Sequence, residues 1–345
     1  MVAFSEYLKT YRRLREFQRS TDVILVKVRS ALTVNGKIHQ DSLLIESRIE
    51  PAIALGLSRS MLLVKLLGFL RTSLTALVIF YSAVLILVYF GQSKMVYIPA
   101  RRIVATPENL GLAYTALQIT TQDGIKIAGW YIPHSQSAKT ILFCHGNGGN
   151  ISYRQNYISV LHQLGFNLLL FDYRGYGESE GEPTEIGTYY DAEAAWQYLL
   201  QEQGILPQDI IIYGESLGGG VAAYLAEQQS RAQIKFGGLV LASTFTSIPD
   251  RASELFPYLP VHLLAKHRYP TLDRLPHITA PILVIHSPDD EIIPFHHGQK
   301  LYAHANQPKM FLELKGDHNT GFIQSLPVYM AGLQEFRHRY VEAMT

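Results

Sequence analysis

Short apolar runs that alternate with helix-like stretches are the feature that most restricts how this chain can fold. Between the runs lie helix candidates at 153–164, 187–203, 218–230 and 292–305. Strands that are apolar along their whole length and separated by helices predict a mostly parallel sheet in an α/β fold. The runs are IKIAGWYIP (125–133, an antiparallel strand), TILFCH (140–145), NLLLFDY (167–173), DIIIYG (209–214), GLVLAS (238–243), PILVIHS (281–287) and MFLEL (310–314).

The stretch GESLGGG (214–220) lies where one of these runs passes into a helix candidate. In sheets of this kind, ligands collect at the carboxyl ends of the strands. Gly214 and Gly218 lack the side chains that would clash in a sharp strand-to-helix turn. Such a turn exposes the hydroxyl of Ser216 at a helix N-terminus, whose dipole favours a developing anion. Ser216 is therefore a candidate nucleophile, and a simple tight turn is the alternative.

Two later segments supply an acid and a base for this serine. PILVIHSPDDEIIP places Asp289 and Asp290 in the turn after a strand, and MFLELKGDHNTGF places His318 in the loop after the next strand. A nucleophilic serine needs a base, and the base needs a group that orients it. The chain order Ser, Asp, His is the one expected when the three lie at the ends of strands of one parallel sheet. Either aspartate fits this pattern.

Acyl transfer also needs hydrogen-bond donors for the oxyanion of the tetrahedral intermediate. The Leu217 N–H follows the serine directly, and the glycine-rich loop CHGNGGN (144–150) offers the Asn147 N–H. The loop lacks both GxxxxGK[ST] and GxGxxG, which argues against a nucleotide site.

Composition predicts neither a metal or organic cofactor nor a nucleic-acid partner. The net charge is +1, the thirteen histidines are scattered, and HExxH does not occur. The single cysteine, Cys144, lies in an apolar run and is expected in the core. Composition does not indicate an oligomeric state.

The segments HGNGGN, FDYRGYGESEGEPTE, GESLGGG, Asp-Glu-Ile-Ile-Pro and GDHN together resemble the α/β-hydrolase superfamily. More narrowly, the chain resembles the Bem46-like branch of membrane-anchored serine hydrolases, which is related to the serine aminopeptidase S33 group. The resemblance covers about residues 94–345. It implies an α/β-hydrolase fold, a mostly parallel sheet flanked by helices.

The resemblance also assigns roles to individual residues. It implies that Ser216 is the nucleophile, that Asp290 rather than Asp289 is the acid, and that His318 is the base. His145 and Gly146 would shape the oxyanion loop, while Asp172 and Arg174 would hold the fold. The sequence departs from the family pattern in having Ser287 where glycine is usual, and in having the extra carboxylate of Asp289.

A run of 22 residues from Thr72 to Ser93 contains no charge. As a helix it would be about 33 Å long, enough to cross a membrane, and a buried core helix is the alternative. We expect a retained single-pass anchor at 61–93, with its span at about 72–92. The N-terminus is expected inside and the catalytic domain, 94–345, outside the cytoplasm.

The first sixty residues are expected to be an extension without chemistry of its own. A basic amphipathic helix is predicted over 4–19, and VILVKV (23–28) with TVNGKI (33–38) suggests a small hairpin.

Residues 244–280 occupy the place where this fold usually inserts a substrate cap. SELFPYLPVHLLAKHRYP is apolar and aromatic and would suit a short cap over an acyl group, with an ordinary packed helix pair as the alternative. We therefore expect a serine hydrolase that cleaves an ester, thioester or amide of an apolar, small-molecule or lipid-like acyl group. The alternatives are a non-catalytic membrane-anchored scaffold and an S33-type aminopeptidase.

Overall fold

The computed structural model describes residues 12, 15–16, 19–20, 23, 33–34, 37–38, 40–135 and 139–342. The chain forms two compact units, residues 1–84 and 85–345, which are described separately. Residues 12, 15–16 and 19–20 are helical. The rest of the helix predicted over 4–19, and the run 24–28, lie outside the described residues.

In the first unit, β1 (Thr33–Val34) pairs antiparallel with β2 (Lys37–Ile38). A hairpin was predicted for VILVKV (23–28) with TVNGKI (33–38). The observed pairing lies within TVNGKI alone, and Val23, the first residue of the other run, is helical. Helix α1 (Gln40–Val96) begins in this unit. Its stretch Ala54–Val96 is long and apolar enough to cross a membrane by length and composition. The most apolar 18 residues within it have a mean hydropathy of 2.3, and none of them is buried. The span predicted at about 72–92 lies within this stretch.

The second unit contains the end of α1 and the remaining elements. The strands are β3 (Ile98–Pro99), β4 (Thr115–Thr120), β5 (Lys126–Ile132), β6 (Thr140–Cys144), β7 (Gly148–Gly149), β8 (Asn167–Phe171), β9 (Ile210–Glu215), β10 (Gly238–Ala242), β11 (Ile282–His286) and β12 (Lys309–Glu313). The helices are α2 (Gln155–Gln163), α3 (Glu185–Gln201), α4 (Leu217–Arg231), α5 (Ile248–Leu255), α6 (Val261–Leu264), α7 (Thr271–Arg274), α8 (Phe295–His304), α9 (Gly321–Gln324) and α10 (Leu326–Phe336).

Eight strands form the central sheet, in the order β12-β11-β10-β9-β6-β8-β5-β4. The six from β12 to β8 run parallel, whereas β5 is antiparallel to both β8 and β4. The predicted α/β-hydrolase fold is confirmed, including the antiparallel strand at 125–133. Strand β4 was not predicted, because an edge strand that is largely exposed carries little apolar signal.

The inner strands are apolar throughout because each face of the sheet packs against its own helices. In β9, Ile210 and Ile212 enter one core with α3 and α4. Ile211 and Tyr213 enter the other core with α2 and α10. This alternation along a fully buried strand is expected for a sheet covered on both sides. Because the strand side chains fill the two cores, the polar side chains of the site lie in the loops at the carboxyl ends of the strands.

Candidate active site

Ser216 forms the turn between β9 and α4, with backbone angles φ 51° and ψ −117°. A non-glycine residue with positive φ costs free energy and persists only where its surroundings hold it. Here the Ser216 N–H donates to the Ala242 carbonyl at 2.9 Å. Its own carbonyl accepts from the Thr244 hydroxyl at 2.6 Å and from the Gly219 N–H at 2.9 Å. These three bonds keep the serine at the edge of the sheet in its strained conformation.

Gly214 and Gly218 allow α4 to begin directly against the strand ends, as predicted for a sharp turn. A Cβ on Gly214 would lie 2.5 Å from the Gly218 carbonyl oxygen. A Cβ on Gly218 would overlap the carbonyl of Cys144, at the end of β6. The glycines are therefore required by close backbone approach.

The structure brings Ser216, His318 and Asp290 into one hydrogen-bonded series. The Nε2 atom of His318 lies 3.1 Å from the Ser216 Oγ. The Nδ1 atom lies 2.8 Å and 3.0 Å from the two carboxylate oxygens of Asp290. With the Nδ1–H donated to a carboxylate, Nε2 is left to accept the serine proton.

The neighbouring aspartate has a different partner. Asp289 accepts a hydrogen bond from the Gly316 N–H at 3.2 Å. The Asp290 carboxylate, in contrast, is fixed by the N–H groups of Ile292 and Ile293, at 3.0 Å and 2.7 Å. Geometry thus separates the two candidates for the acid and places Asp290 next to the imidazole.

A buried histidine that the sequence reasoning passed over lies behind Asp290. The Nε2 of His286 is 2.8 Å from the Ile293 carbonyl and 3.5 Å from an Asp290 carboxylate oxygen. Burial lowers the pKa of His286. The neutral ring therefore donates to the carbonyl and supports the loop that carries Asp290.

Asn147 and Leu217, the predicted oxyanion donors, both line the cavity that contains Ser216. Within the described part of the chain, the Asn147 N–H donates no hydrogen bond. The Leu217 N–H is at the start of α4, where a helix leaves its N–H groups unpaired. Both donors are thus available to a ligand oxygen.

Two tyrosines of the FDYRGYG segment support the oxyanion loop. The Tyr173 hydroxyl donates to the His145 carbonyl at 3.0 Å, and the Tyr176 hydroxyl donates to the Asn147 carbonyl at 2.8 Å. Sequence reasoning did not identify this role, because the contact joins loops far apart in the chain. In the same segment, Arg174 pairs with Asp123 and Asp191, at 2.7 Å and 2.9 Å.

An ion pair beside the serine was also missed. Arg154 Nε lies 2.8 Å from Glu215, the residue that precedes Ser216, and the same carboxylate oxygen accepts the Gly146 N–H at 3.2 Å. The pair adds both charge and rigidity next to the nucleophile.

His145 and Asp172 form a buried pair beneath the oxyanion loop. Both side chains are fully buried, and His145 Nε2 lies 3.4 Å from Asp172 Oδ1. Burial, and to a lesser extent the nearby Arg154, lowers the pKa of His145 to about 3. Burial raises the pKa of Asp172 to about 7, although a hydrogen bond from the Ile151 N–H opposes the shift. Both side chains are therefore neutral between these two pKa values, and Asp172 ionises as the pH rises through about 7.

We expect Asp172→Asn to stabilise the protein increasingly as the pH rises. The raised pKa of Asp172 means that the folded state holds a proton that the unfolded state releases near pH 4. The stability cost of this group therefore grows as the pH rises from about 4 to about 7, and it is complete above pH 7. Asparagine removes that cost, which is on the order of 2–4 kcal/mol above pH 7. Thermal unfolding of both full-length proteins in one detergent at pH 5 and pH 8 measures it. A difference in melting temperature that does not change with pH would refute the neutral pair.

Two cavities meet at Ser216. One, of about 350 Å³, is lined by polar groups that include Arg154, Glu215 and His318. The other, of about 340 Å³, is lined mainly by apolar side chains from the end of α1 and from α5, α6 and the loop between them. The predicted cap segment thus supplies two short helices to the apolar cavity.

One group of side chains has the geometry to hold a metal ion. Potential ligand atoms of Glu254, His296 and His297 lie within 4.8 Å of one another. Glu254 already makes hydrogen bonds with His296 Nε2 at 2.8 Å and His297 Nε2 at 3.3 Å. These contacts join α5 to α8, so the group links the cap segment to the helix that follows the acid loop.

A serine on a strained strand-to-helix turn, at the carboxyl edge of a mostly parallel sheet and with a histidine beside it, defines the α/β-hydrolase class. The sequence model of the alpha/beta hydrolase fold matches residues 139–260. The Pyrococcus furiosus esterase Pf2001 has the same fold, with a TM-score of 0.58 and 24% identity over 71% of this chain and 99% of the esterase.

Three relatives extend the similarity over about two thirds to three quarters of the chain. Rv2307c, an uncharacterised protein of Mycobacterium tuberculosis, is 37% identical over 258 residues, which cover 74% of this chain and 90% of that protein. The alpha/beta hydrolase domain-containing protein WAV2 of Arabidopsis thaliana is 32% identical and covers 75% and 91%. The uncharacterised membrane protein YNL320W of Saccharomyces cerevisiae is 34% identical and covers 68% and 86%. The chain belongs to the α/β-hydrolase family.

Proposed function

We propose that this protein is a membrane-anchored serine hydrolase that cleaves an ester, thioester or amide through an acyl-enzyme on Ser216. The observation that carries the proposal is the series from Ser216 Oγ to His318 Nε2, at 3.1 Å, and from His318 Nδ1 to Asp290, at 2.8 Å. It supports Asp290 as the acid. The membrane-protein name of the yeast relative and the apolar stretch Ala54–Val96 support the Bem46-like branch and a single-pass anchor.

The reaction follows from these positions. His318 Nε2 takes the Ser216 proton while Oγ attacks the carbonyl carbon of the substrate. The Asn147 and Leu217 N–H groups donate to the oxyanion, and losing such a donor typically costs about 10²–10³ in rate. His318 then gives the proton to the leaving alcohol, thiol or amine as its bond to the acyl carbon breaks. A water molecule, deprotonated by His318, then attacks the acyl carbon. As the bond from that carbon to Oγ breaks, His318 returns the proton to Ser216 and the carboxylic acid leaves.

The apolar cavity beside Ser216 supports an apolar acyl group, and the polar cavity suits the leaving group. An ester or thioester fits this division better than the free amino terminus that an S33-type aminopeptidase must recognise. The scaffold alternative has no supporting observation, because the series of Ser216, His318 and Asp290 is complete.

Covalent labelling tests the proposal. We expect the full-length protein in detergent to gain the mass of one fluorophosphonate probe, with the adduct on the peptide that contains Ser216, because the probe mimics the tetrahedral intermediate. Short p-nitrophenyl esters should compete with the probe as substrates. No adduct and no ester hydrolysis would favour the scaffold, and an adduct with activity on aminoacyl amides alone would favour the aminopeptidase.

A further inference from the structure

The last turns of α1 form one wall of the apolar cavity. Val88, Gln92, Met95 and Val96 line it together with Ser216. These residues belong to the same helix whose apolar stretch, Ala54–Val96, is long enough to cross a membrane. The acyl side of the site therefore lies within a few residues along the chain from the proposed anchor.

Hydrogen bonds fix this wall to the cap segment. The Gln92 side chain donates to the Leu264 carbonyl at 3.2 Å and accepts from the Lys266 N–H at 2.7 Å. The Oγ atom of the next residue, Ser93, lies 2.9 Å from His267 Nε2. The Lys266 ammonium lies 3.9 Å from the centroid of the Tyr89 ring. These contacts hold the end of α1 in place as one wall of the cavity.

The cap segment also exposes large apolar side chains next to the cavity. Tyr258 is 88% exposed and directly precedes the lining residue Leu259, and Leu263 is 86% exposed and directly precedes the lining residue Leu264. Lining residues Met95 and Leu255 are themselves more than half exposed. Exposed apolar groups of this size favour insertion into the interfacial region of a bilayer.

From these contacts we infer that the acyl chain of a membrane lipid ester enters the cavity from the bilayer, and that the end of the anchor helix is a wall of its binding site. The inference rests on the proposed function. The acyl chain of the lipid lies against Val88, Met95 and the cap segment, and the carbonyl of its ester bond lies at Ser216. The polar part of the lipid lies among the groups around Arg154 and Glu215. Each buried methylene is expected to raise kcat/KM about fourfold until the cavity is full.

The first experiment substitutes a residue in the wall that α1 forms in the apolar cavity. We expect Val88→Trp to lower the ratio of kcat/KM for p-nitrophenyl decanoate to that for the acetate at least tenfold, because the indole occupies cavity volume. The matched control is Leu87→Trp, one residue earlier and 72% exposed, which should keep the wild-type ratio. An equal ratio in both variants overturns the inference. A wild-type protein that neither reacts with fluorophosphonate nor hydrolyses acetate overturns the proposed function instead.

A second measurement does not depend on the folding of Val88→Trp. The full-length protein in phosphatidylcholine vesicles is given 4-methylumbelliferyl palmitate either in its own vesicles or in separate ones. We expect at least tenfold faster hydrolysis in the shared vesicles, and a loss of most of this advantage in Leu263→Asp. Leu206→Asp, a control at a site 56% exposed and near the amino end of β9, should retain the advantage. Equal rates from both vesicle populations overturn the inference.

Discussion

Ser216→Ala is expected to lower kcat for short p-nitrophenyl esters by at least about 10⁴-fold and to abolish fluorophosphonate labelling. In the proposed mechanism the hydroxyl forms the covalent bond to the acyl carbon, so without it the proposed oxyanion donors and the cavities would supply only a small residual rate. Hydrolysis measured with purified full-length protein in detergent, together with intact mass after labelling, gives both readouts.

Ser243→Ala is the matched control for this variant. Ser243 follows β10, the strand next to β9, and its φ of 47° is close to the 51° of Ser216. The same substitution is therefore made at a similar positive φ one strand away, at a serine outside the series of Ser216, His318 and Asp290. Activity and labelling close to wild type are expected. Retention of both by Ser216→Ala would overturn the assignment of the nucleophile.

Asp290→Asn is expected to lower kcat by about 10⁴-fold, the cost known for the same change in a serine protease triad. Asparagine can donate to His318 Nδ1 and so favours the tautomer that carries its proton on Nε2, which cannot accept from serine. The Asn oxygen can still accept from the Ile292 and Ile293 N–H groups, so the loop should keep its shape.

Asp289→Asn is the control that distinguishes loss of the hydrogen bond to His318 from loss of a negative charge in the same turn. The Asp289 carboxylate accepts from the Gly316 N–H, and an amide oxygen can accept that bond as well. We expect kcat within about threefold of wild type. Steady-state rates with p-nitrophenyl acetate decide the matter, and a larger loss in Asp289→Asn than in Asp290→Asn would reverse the assignment of the acid.

Local patterns predicted much of this fold. The seven apolar runs recur as strands within a few residues of their predicted limits, because strands covered on both faces need uninterrupted apolar side chains. The four helix candidates also recur, at α2, α3, α4 and α8. Strand β4 and helices α9 and α10 were missed, and β4 lies at the sheet edge where the apolar pattern weakens.

The site could be predicted only where its residues are neighbours in the chain or follow strand ends. Ser216, Asp290 and His318 satisfy that condition. Three features do not satisfy it: the Arg154–Glu215 pair, the tyrosines beneath the oxyanion loop and the α1 wall. In the ion pair, for example, 61 residues separate Arg154 from Glu215. Such contacts depend on how loops and helices pack above the sheet, and no spacing in the sequence encodes them.

The meeting of the two cavities at one serine has a consequence for regioselectivity. A substrate that is apolar on both sides of its scissile bond would have to place one side against the Arg154–Glu215 ion pair, and stripping water from those charges without replacing it is costly. An amphiphile avoids that cost when the bond to be cut lies at its own boundary between apolar and polar parts. If the proposed function holds, we therefore expect cleavage at the bond where the substrate changes from apolar to polar.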